Sequence, residues 1–199
     1  MPVGSAKQRL EATDAPGLPV GDGANPTSEE AAILAAARSG DRAAFARLYE
    51  RHAPMVHAVL LARVGRGEAE DLVQEVFLKA MSRLVAVRDQ QAVGPWLSAI
   101  ARNLAIDAGR ARQRAASLKL VGSEPATEQP ADGPSVDEVL KAIRGLPEAY
   151  RETVMLRLVE RMTGPQIAER LGLTHGSVRV NLCRGMKLLR ERLGLDGAS

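Results

Sequence analysis

"MTGPQIAERLGLTHGSVRVNLCRGMKLLRERL", residues 162–193, holds two short apolar-periodic stretches with Leu-Gly-Leu-Thr between them. Thr163-Gly164-Pro165-Gln166 reads as a capping box, in which Thr163 accepts from the amide of Gln166 and the Gln166 side chain reaches back. Ile167, Ala168 and Leu171 give the short helix its apolar side, and Gly172 permits the left-handed backbone that stops it. Thr174 then caps a second helix. Helix, tight turn and capped helix are the punctuation of a helix-turn-helix.

Projected at about 100° per residue, the second helix gathers Val178, Leu182, Met186, Leu189 and Leu193 into one sector, its core stripe. Opposite lie Gly176, Ser177, Val180, Arg184 and Lys187. An outward Val among cations and hydroxyls has a natural target in a thymine methyl of the major groove. Arg184 and Lys187 are then placed for phosphates or guanine. Gly176 lets the helix N-terminus come close to the DNA backbone, where its dipole favours phosphate. The alternative is a solvated basic face on a helical hairpin.

The chain has 199 residues, enough for one or two domains. A formal charge of +3 and a pI near 9.3 hide a segregation. Segments 1–30 and 115–138 lean acidic, while 102–114 and 179–192 are rich in Arg, which suits a polyanionic partner. Ala, Leu and Arg dominate and favour helices; no stretch alternates with period two. The single cysteine, Cys183, excludes an internal disulfide framework and a cysteine metal site. Its place beside the core stripe predicts a half-buried small apolar role. No apolar run reaches membrane-spanning length and the N-terminus has no apolar signal core, so a cytoplasmic protein is expected.

The expected fold is all-α: two small helical domains joined by a flexible linker, the C-terminal one a helix-turn-helix. Residues 1–27 are aperiodic and predict a disordered tail. Residues 28–114 form the first domain. In it Asp41 caps a long helix carrying Phe45, Leu48, Tyr49, His52, Val56, Val59 and Leu60, ended by Gly65 and Gly67. A second helix runs from about Glu68 to Leu84, and a third opens at Gly94-Pro95 and continues to about Arg114. The acidic, Pro/Gly-punctuated segment 115–136 is the linker, and 137–199 the second domain.

Two faces of the first domain stand out. In "EDLVQEVFLKAMSRL", Val73, Phe77, Ala80 and Leu84 point inward, and Asp71, Gln74, Glu75 and Leu78 line the opposite side. Such a row is either a docking surface for another helix or a solvated face with one stray leucine. In "GPWLSAIARNLAIDAGRARQR", Leu97, Ile100, Ala101, Leu104 and Ala108 make the core stripe, with Trp96 beside it. Arg102, Asn103, Ile106, Arg110 and Gln113 project elsewhere, and such side chains bond phosphates and base edges. His52 and His57 fall on different faces of their helix, so no metal site is expected. No nucleophile elbow, phosphate loop or dinucleotide signature occurs, and the chain is read as a non-enzyme without cofactor or small-molecule substrate.

Taken together, these residues resemble the extracytoplasmic-function sigma factors, small two-domain specificity subunits of bacterial RNA polymerase. The resemblance covers roughly residues 30–114 and 137–193. "DLVQEVFLKA" is similar to the family's polymerase-docking helix, "WLSAIARNLAIDAGR" to the helix that reads the minus-10 element, and "LPEAYRETVMLRLVERMTGPQIAERLGLTHGSVRVNLCRGMKLLRERL" to the minus-35-reading domain. The resemblance implies that Asp71, Leu72, Gln74, Glu75 and Leu78 face the β′ coiled coil of core polymerase, with Phe77 supporting them from the core. It implies minus-10 contacts from Arg102, Asn103, Ile106, Asp107 and Arg110, of which Asn103, Asp107 and Arg110 match the family's Asn-x-x-x-Asp-x-x-Arg pattern. A loop at about Val87–Val93 would capture a flipped base. Minus-35 contacts fall to Gly176, Ser177, Arg179, Val180, Asn181, Arg184 and Lys187. Promoter DNA and an anti-sigma factor are the other implied partners.

Departures are also visible. Ala111 follows Arg110 where the family often has a basic pair, which displaces the cations to Arg112 and Arg114. Val180 and Asn181 stand where the recognition helix often has Ser and Arg, and Gly164-Pro165 replaces the commoner start of the preceding helix. The competing readings are a helix-turn-helix regulator without polymerase affinity and an interaction protein whose basic faces are merely solvated.

Overall fold

The computed structural model describes residues 26–87, 92–118 and 134–195. Nearly all of the expected tail and most of the expected linker lie outside those residues, as do residues 88–91 of the proposed base-capture loop. Among the described residues there are eight α-helices, one 3-10 turn and no strand. The helices are α1 (Pro26–Arg38), α2 (Arg42–Leu61), α3 (Arg66–Arg83), α4 (Val93–Leu118), α5 (Val136–Arg144), α6 (Glu148–Leu158), α7 (Gly164–Leu171) and α8 (His175–Arg192). The 3-10 turn, Leu84–Ala86, follows α3.

Local chemistry sets these boundaries. The Asp41 carboxylate accepts from the amides of Ala43 and Ala44 at 2.8 and 3.2 Å, so α2 begins where the cap predicts. Gly40, at φ +95°, makes the reversal between α1 and α2 that a side chain would strain. α4 starts at Val93, one residue before the expected Gly94-Pro95, and continues past Arg114 to Leu118, into the expected linker. Ser135 and Glu138 close a reciprocal capping box on α5.

α2 is the axis of the first helical unit. Its Met55, Val56, Val59 and Leu60 are fully buried, and α1, α3 and α4 all pack on it. α3 contributes Val73, Val76, Phe77 and Ala80, and α4 contributes Leu97, Ala101, Leu104 and Ala105. Leu72 is also buried, because the apolar arc of α3 is wide enough to include it. Of the residues that the resemblance assigns to docking, Leu72 therefore lies in the core beneath the exposed row of Asp71, Gln74, Glu75 and Leu78.

In the second unit α8 lies across α6, whose Val154, Met155 and Leu156 have no exposed surface. The crossing is close because Gly185 has no side chain. A Cβ there would stand 2.6 Å from Val154 Cγ2 and 3.0 Å from Tyr150 Cβ. Cys183 is exposed, not half-buried as its sequence position predicts: the α6 contact falls on Gly185 and leaves residue 183 outside.

The two units also touch each other, α2 against α6 and α4 against α7. Gly94 brings the start of α4 onto the backbone of α7, where a Cβ would lie 2.9 Å from the Arg170 carbonyl oxygen. Gly172, left-handed at φ +67°, sits against the ring of Pro95.

Gly185→Ala should destabilise the second unit by about 1–3 kcal/mol through overpacking. Pairing it with Val154→Ala should recover part of that loss. Urea unfolding of the two variants checks both expectations.

Candidate functional site

Three surfaces carry the residues singled out above. On α3, Asp71, Gln74, Glu75 and Leu78 are all exposed, and Glu75 pairs with Lys79 at 2.9 Å. The face is more apolar than its sequence pattern implies. Leu78 is 63% exposed and Met81 56%. Beside them a shallow recess of about 220 Å³ is lined by Phe45, Tyr49, Gln74, Phe77, Leu78 and Met81. Phe77 anchors this recess, with Tyr49 tilted over it at 4.6 Å and Phe45 edge-on at 6.4 Å between ring centroids. Phe45, Tyr49 and Met81 are the residues sequence reasoning missed here. Met81 could have been found, because it lies three residues beyond Leu78 and continues the same stripe.

On α4, Asn103, Ile106, Asp107 and Arg110 are exposed, Ile106 at 42%. Asp107 and Arg110 are 3.7 Å apart, a loose pair in water that leaves the guanidinium available. Arg102 is different. Its Nε and Nη2 donate to the two carboxylate oxygens of Glu152, at 2.7 and 2.8 Å. Arg112, the displaced cation, turns back to Glu68 of α3 at 2.6 Å. Val87, just after the 3-10 turn, and Val93, the first residue of α4, are both buried.

The helix-turn-helix is built from α7 and α8. The Thr163 amide donates to Gln166 Oε1 at 2.8 Å, Gly172 takes the left-handed conformation, and Thr174 Oγ1 accepts from the Ser177 amide at 3.1 Å. Ile167, Leu171, Val178 and Leu189 seal the pair onto α6. Gly176, Ser177, Arg179, Val180, Arg184 and Lys187 are exposed, Val180 at 41%. Asn181 is half-buried and lines a cleft with Arg63, Arg102 and Glu152.

Comparison with known proteins assigns this architecture. Residues 48–115 match the family model described as Sigma-70 region 2, and residues 137–189 the one described as Sigma-70, region 4. The RNA polymerase sigma factor CarQ of Myxococcus xanthus is 35% identical over 162 residues, covering 79% of this chain and 93% of CarQ. The chain belongs to the extracytoplasmic-function RNA polymerase sigma factors. It directs promoter-specific transcription initiation by core polymerase. Two solved structures share its fold. The sigma factor RpoE, in complex with the anti-sigma factor NepR from Bartonella quintana, matches at 25% identity and a TM-score of 0.54, over 76% of this chain and 98% of that one. CnrH, in complex with the cytosolic domain of CnrY, matches at 23% identity and 0.57, over 84% and 99%.

Between the two units of this sigma factor lies a polar seam that its sequence did not announce. His52, 1% exposed on α2, bonds Glu30 of α1 through Nε2 at 3.0 Å and Arg170 of α7 through Nδ1 at 2.8 Å. A guanidinium only donates, so Nδ1 must accept and the imidazole is neutral with its proton on Nε2. Burial holds the His52 pKa below its ordinary 6.5, Arg170 and Arg51 add to that, and the bond to Glu30 opposes it. The same bond is the chief cause that draws Glu30 below 4.5. Among the described residues no group of His, Cys, Asp and Glu could hold a metal ion.

The sign follows. A histidine whose folded pKa is depressed contributes stability above its unfolded value, and that stability is lost as pH falls below it. Unfolding free energy should therefore drop as pH goes from about 7 to about 5.5, with a further loss below about 4.5 as Glu30 protonates. Denaturant midpoints across that range should show the upper step in the native chain and not in His52→Gln.

Proposed function

We propose that the α3 face is the polymerase-docking surface, with Leu78 and Met81 as its apolar contacts and Asp71, Gln74 and Glu75 as its polar rim. Leu72 and Phe77 hold that surface from below. The observation that carries this reading is the pair of large exposed apolar side chains beside an aromatic-floored recess, a combination suited to an incoming helix. By the family resemblance that helix belongs to the β′ coiled coil of core RNA polymerase.

Residues 28–114 then act as the minus-10 unit, through Arg102, Asn103, Ile106, Asp107 and Arg110. Residues 137–199 act as the minus-35 unit, through Gly176, Ser177, Arg179, Val180, Asn181, Arg184 and Lys187, and segment 115–136 tethers the two. The exposed Val180 supports apolar contact with a thymine methyl in the major groove, flanked by Arg184 and Lys187 on phosphates. Ile106 plays the comparable apolar part on the minus-10 side. Such a protein works by binding alone, in the cytoplasm with the polymerase. An anti-sigma factor is proposed as a further partner, supported by the complex of RpoE with NepR.

In vitro transcription with core polymerase on a genomic library supplies the promoter on which these assignments are tested. Leu78→Glu should abolish core binding while the free chain remains folded by circular dichroism. Asn103→Ala and Arg110→Ala should each lower initiation roughly tenfold, in keeping with about 1–3 kcal/mol for a base-reading contact. Core binding that survives Leu78→Glu would move the docking surface elsewhere.

A further inference from the structure

We propose that Arg161, in the connection between α6 and α7, is a phosphate contact of the minus-35 unit and grips the DNA backbone beside the major groove that α8 reads. The proposal rests on the assignment of α7 and α8 to the minus-35 element. Arg161 itself belongs to none of the surfaces assigned above.

Arg161 has a left-handed backbone, φ +52°, and among the described residues it is the one non-glycine in that region. The chain places glycine at the others, Gly40, Gly172 and Gly194. Glycine enters that conformation freely, whereas a Cβ there crowds the following carbonyl oxygen. The fold explains why the position is left-handed. α6 ends here: the Met162 amide turns back to the Leu156 carbonyl at 3.2 Å, and the Met162 carbonyl accepts from Arg157 Nη1 at 2.9 Å. The fold does not explain why the residue is an arginine. Arg161 is exposed, and among the described residues its guanidinium takes part in no hydrogen bond or ion pair. Glu160, its neighbour, is half-buried and interacts electrostatically with His57 of α2. A strained backbone that carries an unpaired cation gains nothing inside the chain, so the charge acts on something outside it.

Its position selects the target. In a helix-turn-helix the second helix enters the major groove and the first crosses the sugar-phosphate backbone. The start of α7 lies against the first turn of α8, where a Cβ on Gly164 would stand 4.0 Å from Val178 Cγ1. Arg161 stands two residues ahead of the Thr163 cap, at the end of α7 that borders the backbone. Met162, packed against the core, and Arg157 hold the connection, so the guanidinium is presented from a fixed support. Arginine meets phosphate oxygens in pairs, and such contacts carry no base information. Arg161 thus adds affinity and fixes orientation, and leaves sequence preference to α8.

The test uses holoenzyme assembled with core polymerase and a promoter duplex carrying the minus-35 element. Arg161→Gly and Arg161→Asn remove the charge and suit the left-handed backbone. Arg161→Lys keeps the charge. Near about 0.1 M salt the two uncharged variants should bind roughly tenfold more weakly, and log affinity should fall less steeply with log salt, by about 0.9 in slope, as for one lost phosphate contact. The weakening should be equal on the native minus-35 sequence and on one with its bases replaced. The lysine variant should keep the native slope. The thermal midpoint of the free chain should hold or rise in Arg161→Gly, which separates a lost contact from a lost fold. Native slopes in both uncharged variants, or an affinity loss confined to the native sequence, would overturn the assignment alone. Absence of any minus-35 preference in the unaltered holoenzyme would overturn the reading of α7 and α8, and this assignment with it.

Discussion

A carboxylate removed from water must be met by opposite charge, and in this chain Glu152 is met from across the boundary between its two helical units. That requirement organises the arrangement of the whole molecule. Exposed pairs such as Arg47–Glu29 and Lys187–Glu191 are solvated and decide little. Glu152 with Arg63 and Arg102 is different, because each unit alone would leave one sign of charge poorly compensated in a partly dry cleft. The units are complementary in charge where they meet, and Glu30, His52 and Arg170 repeat the device a short way off.

The remaining surfaces show where apolar side chains are left outside. Leu78 and Met81 on α3, Ile106 on α4 and Val180 on α8 are all substantially exposed. Each stands among polar or charged neighbours on a helix whose other side is packed. No described helix is long and apolar enough to cross a membrane, so these are not parts of a span. They are separate patches on three helices, and the proposed docking and DNA-reading surfaces are built around them.

Much of this was legible from residue order alone, and for definite reasons. The caps at Asp41, Ser177's partner Thr174 and the Thr163–Gln166 box are local, so sequence spacing determines them. The core stripes of α3, α4 and α8 follow from helical geometry. Three things were hidden because they depend on what lies opposite a helix. Leu72 sits at the margin of its arc, where only the width of the neighbouring contact decides its burial. Cys183 is displaced outward because the α6 crossing centres on Gly185. Arg102 projects away from its own unit as expected, yet a periodicity argument has no means of showing that Glu152, 50 residues later, meets it there.

The seam is also a mechanical part. Gly94 lets one helix start rest on the Arg170 carbonyl, and Gly172 lets the helix-turn-helix corner rest on Pro95. Both are contacts of bare backbone or ring, with no side chain as cushion. A single methyl at residue 94 would act as a wedge at the pivot, prying the halves apart without altering any charge. How closely the halves can approach is thus set by one small residue far along the chain from the exposed apolar side chains of α3 and α8.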